Sequence, residues 1–305
     1  MTKTVLILGA TGKIGQHAAR AFAAGGWTVR RYQRGTNMAK AAAGADVIVN
    51  GLNPPNYHDW STLIPQITKE VIAAAKSSGA TVIIPGNVYV YGPNGGVWSE
   101  KTQHNPQTRK GRIRAEMEQE YRRAGVPTII LRAGNFIDPD RNGDVMSMAI
   151  LRSAGRGRIT SLGDPSVLQA FAYLPDWAVA AESLASGRAD LPVFADIPFA
   201  GHAFSMRDLR DCLSREMGRS IRISPFPWWA MRLLSPVWEL AREMVEMRPL
   251  WNTPHQLDGT RLAELLPDFR PTAMRTVMLS ALPPEVHPDQ AVRSGSKAIG
   301  AQNLS

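Results

Sequence analysis

The sequence has very little cysteine: Cys212 is the only one among 305 residues. A single thiol cannot form an internal disulfide, and no cluster of His and Cys at the spacing of metal ligands accompanies it. We therefore expect a protein of a reducing, cytoplasmic compartment, without a metal centre.

Long hydrophobic runs are also missing. The longest apolar stretch, residues 226–234, contains Pro227 and Arg232 and falls short of the roughly 20 residues that a membrane-spanning helix needs. Near the N-terminus, the apolar residues 5–8 are interrupted by Gly9 before they could form the core of a signal peptide. The sequence predicts neither export nor a membrane partner.

Patterns typical of nucleic-acid binding are absent as well. The chain has 35 Lys and Arg against 26 Asp and Glu, a formal net charge of +9 that would favour a polyanionic partner. However, it contains no helix-turn-helix or zinc-finger spacing and no basic stripe with interleaved aromatic residues. We expect no nucleic-acid partner. The basic residues cluster instead within residues 1–50, where Asp46 is the only acid, and within residues 109–114.

Short apolar runs alternate with helical patterns along the first 130 residues. Helices are expected at 14–24, 38–43, 63–77 and 111–124, and strands at 4–8, 28–32, 46–52, 81–85 and 127–131. Strands of nearly continuous Val, Ile and Leu between helices are typical of a parallel sheet that is buried on both faces. The sequence therefore predicts an α/β fold with a doubly wound parallel sheet.

Beyond residue 131 the alternation loosens. Residues 144–153 predict a helix and 159–162 a short strand, while residues 205–208 have the pattern of a capping box that opens a helix. Residues 228–247 predict one long amphipathic helix, although Pro236 lies inside it.

These patterns predict two domains. The expected division is a dinucleotide-binding domain of residues 1–134, with residues 167–202 rejoining its sheet; a smaller, mostly helical substrate lobe of 135–166 and 203–282; and a polar tail of 283–305.

A glycine-rich loop follows the first predicted strand and opens a helix. A phosphate-binding turn needs an unusual φ, a backbone that approaches a pyrophosphate closely, and a helix N-terminus that faces the anion. Glycines at this spacing inside a strand–helix–strand unit meet these demands. The candidate cofactor contacts are Gly9, Thr11, Gly12, Lys13, Ile14 and Gly15.

The end of the second strand indicates which dinucleotide is bound. Sites for an unphosphorylated ribose usually place an acidic residue about 20 residues after the loop, but no acid occurs before Asp46. The strand ends instead with arginines, and a guanidinium suits a 2′-phosphate. We predict NADP as the cofactor, bound by Arg34 first and Arg31 second. The alternative is that these arginines form a solvated strand end.

With these features the sequence resembles the short-chain dehydrogenase/reductase superfamily, in its extended or atypical, NAD(P)-dependent epimerase/dehydratase-like branch. The similarity covers about residues 3–220. The similar segments are the GATGxIG loop, the strand at 45–50, Val90-Tyr91-Gly92, and residues 131–136 and 171–176. The resemblance implies a Rossmann-type domain, a small-molecule substrate and a possible homodimer. It also implies cofactor contacts at Asn50, Gly51, Leu52 and Pro85, and a substrate contact at Asn135.

The sequence departs from the family in length. Between Arg34 and Asp46 there is room for one short helix, where the family usually inserts a further strand and helix. Since a parallel crossover needs about a dozen residues, the sheet is expected to be narrower.

The sequence also departs from the family at the catalytic positions. The family uses a Ser or Thr after the fourth strand and a Tyr-x-x-x-Lys on the next helix; here these positions hold Asn87, Lys110 and Arg114. Asn87 could polarise a carbonyl, and Arg114 could hold ribose hydroxyls or a phosphate. Lys110 is a candidate proton donor, because cationic neighbours favour loss of its proton. The phenol of Tyr91, or that of Tyr89, is the other candidate.

Two functions remain open at this stage. One is an NADP-dependent oxidoreductase of the epimerase/reductase-like type that acts on a small carbonyl or alcohol compound, and the basic residues 109–114 favour an anionic one. The other is a catalytically inactive NADP(H)-binding sensor or regulator, which the three replaced residues would allow. Both tyrosines could equally be packing residues of the core, and Lys110 could be a solvated residue of the helix start.

Overall fold

The structure is a computed structural model that describes residues 2–140 and 143–287. Its strands are Thr4–Leu8 (β1), Thr28–Arg31 (β2), Val47–Asn50 (β3), Thr81–Gly86 (β4), Gly96–Trp98 (β5), Thr128–Arg132 (β6), Asn135–Ile137 (β7), Arg158–Ser161 (β8), Gln169–Tyr173 (β9), Phe194–Pro198 (β10), His202–Phe204 (β11), Arg222–Pro225 (β12) and His255–Leu257 (β13). Its α-helices are Lys13–Ala24 (α1), Met38–Ala42 (α2), Trp60–Ser78 (α3), Arg109–Ala124 (α4), Leu174–Ser186 (α5), Met206–Glu216 (α6), Trp228–Leu234 (α7), Glu239–Met247 (α8), Thr260–Leu265 (α9) and Met274–Ser280 (α10).

A six-stranded parallel sheet forms the centre of the molecule, in the order β10-β6-β4-β3-β1-β2. The apolar side chains of α1 and α5 pack on one face, and those of α3 and α4 pack on the other. Strands covered on both faces bury nearly every side chain, which is why their sequences are continuous apolar runs. The predicted doubly wound, Rossmann-type fold is confirmed.

The sheet ends at β2. The chain leaves β2 through the five-residue helix α2 and returns as β3 on the other side of β1. Among the described residues no strand pairs with the outer edge of β2. The sheet therefore lacks the further strand that the resembled family usually inserts at this point, as expected from the short connection.

The prediction that residues 167–202 rejoin the central sheet is wrong in part. β10 does join the central sheet beside β6, but β9 lies in a separate three-stranded sheet with β7 and β11. The reason is that the chain continues directly from β6 into β7, which pairs with β9 so that Asn135 lies opposite Phe171. The division into two domains stays a prediction.

The second half contains shorter helices than expected. The helix predicted at 144–153 is a five-residue π-helical turn, Met146–Ile150. The long helix predicted at 228–247 is two helices, α7 and α8, because Pro236 lies in the break between them and lacks the N–H group that a helix needs. The capping box at Ser205 and Asp208 is present at the start of α6.

The chain after α10 is described only in part. Residues 284–286 form a single 3₁₀ turn, whereas residues 288–305 of the predicted polar tail lie outside the described residues. Within the described ranges, none of the helices combines the length and apolar character needed to cross a bilayer.

Candidate active site

The loop between β1 and α1 has the geometry of a phosphate-binding turn. Gly9 has a φ of 72°, a left-handed conformation that favours glycine. A Cβ atom on Gly15 would lie 2.2 Å from the carbonyl oxygen of Gly9, so a larger residue does not fit there. α1 begins without a side-chain cap or an acidic residue in its first turn, which leaves backbone N–H groups and the positive end of the helix dipole for an anion. A dinucleotide pyrophosphate fits this turn.

The six predicted contacts of this loop lie together. Gly9, Thr11, Gly12, Lys13, Ile14 and Gly15 occupy the turn and the start of α1. The side chain of Lys13 has a partner from the second half of the chain, since its Nζ donates to the carbonyl oxygen of Gly143 at 3.0 Å.

The two predicted arginines lie free at the end of β2. The side chains of Arg31 and Arg34 are exposed, and neither side chain forms a hydrogen bond or ion pair within the described part of the chain. Arg30 differs, because its Nη1 donates to the carbonyl oxygen of Ala43 at 2.9 Å. The carboxylate of Asp46 accepts a hydrogen bond from the N–H of Thr4 at 2.7 Å, at the opposite end of the strands. The first acid of the chain is thus far from where a ribose of a bound dinucleotide would lie.

The other predicted cofactor contacts lie at the same sheet edge. Asn50 ends β3 beside Leu8, and its Oδ1 accepts a hydrogen bond from the N–H of Leu52 at 3.2 Å. The N–H of Gly51 donates to the carbonyl oxygen of Leu8 at 3.0 Å. Pro85 lies near the end of β4. The carboxyl ends of β1, β3 and β4 therefore bring these residues beside the phosphate-binding turn.

Asn87 directly follows β4. Its Oδ1 accepts a hydrogen bond from the N–H of Tyr89 at 3.0 Å, and its carbonyl oxygen accepts one from Nη1 of Arg132 at 2.7 Å. The Nδ2 group has no hydrogen-bond partner within the described residues, so this amide donor remains for a ligand.

A buried arginine supports the Asn87 loop. Arg132 is completely buried and forms a two-pronged ion pair with Glu118, at 3.0 and 2.7 Å, and a further one with Asp196 at 2.6 Å. Burial alone would lower the pKa of Arg132, but the two carboxylates outweigh it and raise that pKa well above its ordinary value. This network was not predicted from the sequence. The feature that could have indicated it is the charged Arg132 at the end of the otherwise apolar strand β6.

The surroundings of Lys110 differ from those expected. Its side chain is completely buried, and its Nζ forms ion pairs with Glu243 and, at 2.7 Å, with Glu246 on α8. The backbone N–H of Lys110 also donates to Glu246 at 2.9 Å, and Arg109 pairs with Glu243 at 2.8 Å. The prediction that the neighbours of Lys110 are cations is therefore wrong. Two carboxylates pair with its ammonium and neutralise its charge.

Arg114 lies one turn further along α4 and faces the loop after β3. Its Nη2 donates to Oδ1 of Asn53 at 2.8 Å, and its guanidinium lies 4.7 Å from the ring centroid of Trp60. The predicted contact of Arg114 with ribose or phosphate stays a prediction.

Tyr91 is a structural residue in this arrangement. It is buried, its hydroxyl donates to the carbonyl oxygen of Ser99 at 3.2 Å, and its ring packs against Trp98. Burial raises the pKa of Tyr91. Because the phenol is enclosed and already bonded to the backbone, the structure does not favour Tyr91 as a proton donor.

Two other phenols, one in the loop after β3 and one in the segment after β4, lie close together. The hydroxyl oxygens of Tyr57 and Tyr89 are 3.3 Å apart. Tyr57 was missed because it lies in the loop after β3, where only its position behind Pro54 and Pro55 marks it in the sequence.

Asn135, the predicted substrate contact, begins β7. Its Nδ2 is buried and has no hydrogen-bond partner within the described residues. An unpartnered buried donor is costly, and a substrate or a water molecule would satisfy it.

Two groups of side chains have the composition of metal ligands: His17 with Asp138 and Asp140, and His104 with Glu118 and Asp196. An arginine is part of each group. Arg20 lies 2.5 Å from Asp140, and Arg132 pairs with the carboxylates of the second group. Both groups are ion-pair networks in this structure.

The central sheet and the glycine turn before α1 define a doubly wound α/β fold of the Rossmann type. The chain is similar in structure to MoeE5 in complex with UDP-glucose and NAD, with a TM-score of 0.71, 16% sequence identity and coverage of 95% of this chain and 99% of that chain. It is also similar to UDP-glucuronic acid 4-epimerase from Bacillus cereus in complex with UDP-glucuronic acid and NAD, with a TM-score of 0.68, 16% identity and coverage of 95% and 99%.

A putative epimerase from Burkholderia cenocepacia J2315 has a TM-score of 0.71, 17% identity and coverage of 95% and 98%. No protein-family profile matches the chain, and no curated protein matches it. The solved structures confirm, at the level of the fold, the resemblance to the epimerase/dehydratase-like branch.

Proposed function

We propose that this protein is an NADP(H)-dependent oxidoreductase of the epimerase/reductase-like type that acts on a small carbonyl or alcohol compound. The observation that carries the proposal is the glycine turn before α1, a helix without a side-chain cap, together with two arginines at and just after the end of β2 whose side chains have no partner in the described part of the chain. A bound nicotinamide would supply or accept the hydride, while the chain binds and orients both molecules.

The preference for a phosphorylated ribose is inferred from charge. Within the described residues no carboxylate pairs with Arg31 or Arg34, and Asp46 is engaged with Thr4 and with Arg188 at the far end of the strands. A 2′-phosphate is a dianion that a guanidinium can bind through two hydrogen bonds. Two of the structural neighbours named above are in complex with NAD, so NADP is our proposal for this chain.

The substrate side offers neutral donors. Asn87 follows β4 and Asn135 follows β6, and these strands are neighbours in the sheet. Amide donors can polarise a carbonyl oxygen without requiring a charged substrate. Since Glu243 and Glu246 neutralise Lys110, the support for an anionic substrate is lost.

One observation favours a second candidate, a sensor that binds NADP(H) without turnover. The position of the family's catalytic tyrosine holds Lys110, which is buried in ion pairs. A sensor would bind the cofactor, distinguish its two redox states and leave carbonyl compounds unchanged.

A fluorescence titration of wild type and Arg34→Asp with NADPH and NADH tests the cofactor assignment. We expect wild type to bind NADPH at least about tenfold more tightly, because a charge-assisted pair contributes about 1.5–3 kcal/mol. Arg34→Asp should lose this preference. Lys69→Asp is the matched control, since it makes the same charge change on an exposed helix face.

Equal affinity of wild type for NADPH and NADH would refute the NADP assignment. For the reaction, NADPH oxidation is followed with an aliphatic aldehyde, an aromatic diketone and 4-keto nucleotide sugars. NADPH binding without turnover of any of them would favour the sensor.

A further inference from the structure

The pair of phenols at the carboxyl ends of β3 and β4 has no assigned role. The hydroxyl oxygens of Tyr57 and Tyr89 lie 3.3 Å apart, within hydrogen-bond distance. β3 and β4 are adjacent central strands, and ligands of open α/β sheets bind outside the carboxyl ends of the strands. The pair is therefore placed at the edge where the reacting part of a bound dinucleotide and its substrate would meet.

The backbone that carries Tyr57 is strained. Asn56, Tyr57 and Asp59 have φ values of 53°, 61° and 40°, a left-handed region that non-glycine residues rarely adopt. Such conformations persist only where surrounding contacts enforce them, and they cluster at functional sites. Here the Tyr57 ring packs against Trp60 at a centroid distance of 5.1 Å, and its hydroxyl meets that of Tyr89.

Two residues in the first turn of α4, Lys110 and Gly111, lie beside this pair. Nζ of Lys110 lies 5.0 Å from the ring centroid of Tyr57, and Glu243 and Glu246 fix that ammonium. A Cβ atom on Gly111 would lie 2.4 Å from the carbonyl oxygen of Tyr89, so α4 packs tightly on the Tyr89 backbone. The first turn of α4 therefore lies against both tyrosines.

The two phenols are not equivalent. The neighbouring Tyr89 phenol, together with burial, raises the pKa of Tyr57 well above its ordinary value. Tyr57 therefore keeps its proton and can donate a hydrogen bond to the oxygen of Tyr89. Tyr89 lies on the same loop as Asn87, whose Oδ1 accepts a hydrogen bond from the backbone N–H of Tyr89 at 3.0 Å. Tyr89 is therefore the phenol carried by the loop whose amide donor is proposed to polarise the substrate oxygen.

We propose that Tyr89 transfers the proton during hydride transfer and that Tyr57 is its positioning residue. The phenol that α4 supplies in the resembled family would then come from the segment after β4. This inference rests on the proposed function. In oxidation, the Tyr89 phenolate would take the hydroxyl proton of the substrate, the hydride on the carbon that bears this hydroxyl would pass to a bound oxidised nicotinamide, and a C=O bond would form. In reduction, the carbonyl carbon would accept the hydride of a bound reduced nicotinamide, and the carbonyl oxygen would take the proton of Tyr89.

Kinetics of Tyr89→Phe, Tyr57→Phe and Tyr91→Phe with NADPH and the three kinds of carbonyl compound named above test the proposal. Tyr89→Phe should lower kcat about 10²–10⁴-fold, the usual contribution of a general acid or base, with an unchanged NADPH Kd from fluorescence titration. Tyr57→Phe should lower kcat less and leave KM unchanged. Tyr91→Phe should keep the wild-type kcat.

A readout without turnover is the phenol titration of the free protein by ultraviolet absorbance. In Tyr89→Phe the pKa of Tyr57 should fall towards the ordinary tyrosine value of about 10. Unchanged late titration in that variant, or a wild-type kcat for Tyr89→Phe, would overturn the proposal. If wild type binds NADPH but reduces none of the compounds, the proposed oxidoreductase fails and this inference fails with it.

Discussion

Nζ of Lys110 lies 2.7 Å from Oε2 of Glu246, although the two residues are 136 positions apart in the sequence. Lys110 belongs to the first turn of α4, and Glu246 belongs to α8 in the second half of the chain. Together with the pair between Lys110 and Glu243, this contact fastens α8 over the start of α4. The basic segment at 109–114 is therefore in large part an internal interface.

Removal of the lysine should destabilise the fold. Lys110→Met leaves Glu243 buried with two half-exposed arginines, Arg109 and Arg242, as its remaining close cations. Breaking a buried pair from one side costs about 3–5 kcal/mol when the charge is left uncompensated, so we expect a loss at the lower end of that range. The measurement is the free energy of unfolding in urea. Lys101→Met, at an exposed lysine, is the control and should change it by less than about 0.5 kcal/mol.

The double variant Lys110→Met with Glu243→Leu should recover much of that loss, since the fully buried carboxylate is removed together with its lysine. The groups that lose a partner in this variant, Glu246, Arg109 and Arg242, are all partly exposed. A wild-type unfolding midpoint for Lys110→Met alone would show that the pair contributes little to stability.

The contact between His58 and Glu239 should depend on pH. Their side chains lie 2.8 Å apart, and the hydrogen bond and charge of Glu239 raise the pKa of His58. A raised folded-state pKa gives stability that is present below the unfolded pKa, about 6.5, and is lost as the pH rises through the folded pKa. In an NMR titration, Glu239→Gln should lower the pKa of His58 towards 6.5.

Glu264→Gln is the control for that titration, because Glu264 is exposed and pairs with Arg261 instead. An identical His58 titration in wild type and Glu239→Gln would mean that the contact does not persist in solution.

Gly15→Ala should abolish the phosphate site. The added Cβ would lie 2.2 Å from the Gly9 carbonyl oxygen and must displace the turn, so NADPH affinity should fall at least about tenfold, as expected when charge-assisted contacts are lost. Gly187→Ala adds a methyl group where the nearest atom is 3.9 Å away and should bind NADPH like wild type. Unchanged binding by Gly15→Ala would refute the proposed position of the pyrophosphate.

The sequence was sufficient to predict the central sheet and the glycine turn before α1, because both are local patterns. Buried parallel strands appear as continuous apolar runs, as in residues 81–85, and the turn requires glycines at fixed spacing. The break at Pro236 was visible too, but the apolar periodicity across it favoured one helix over two.

The site could be predicted only in part, because its decisive contacts are long-range. Nothing near Lys110 in the sequence indicates that Glu243 and Glu246 neutralise it, since both lie more than 130 positions away. The left-handed backbone at Tyr57 is enforced by packing against Trp60 and Tyr89, and a local pattern does not predict such a conformation.

The position of β2 at the edge of the sheet has a consequence for self-association. An edge strand presents backbone N–H and C=O groups to which a strand of another chain can add, and charged side chains are a common protection against such addition. β2 carries two arginines in four residues, Arg30 and Arg31. In an edge-to-edge dimer through β2, these like charges would face each other and repel. The basic end of β2, proposed to bind a phosphate, therefore also disfavours the addition of a second chain at this edge.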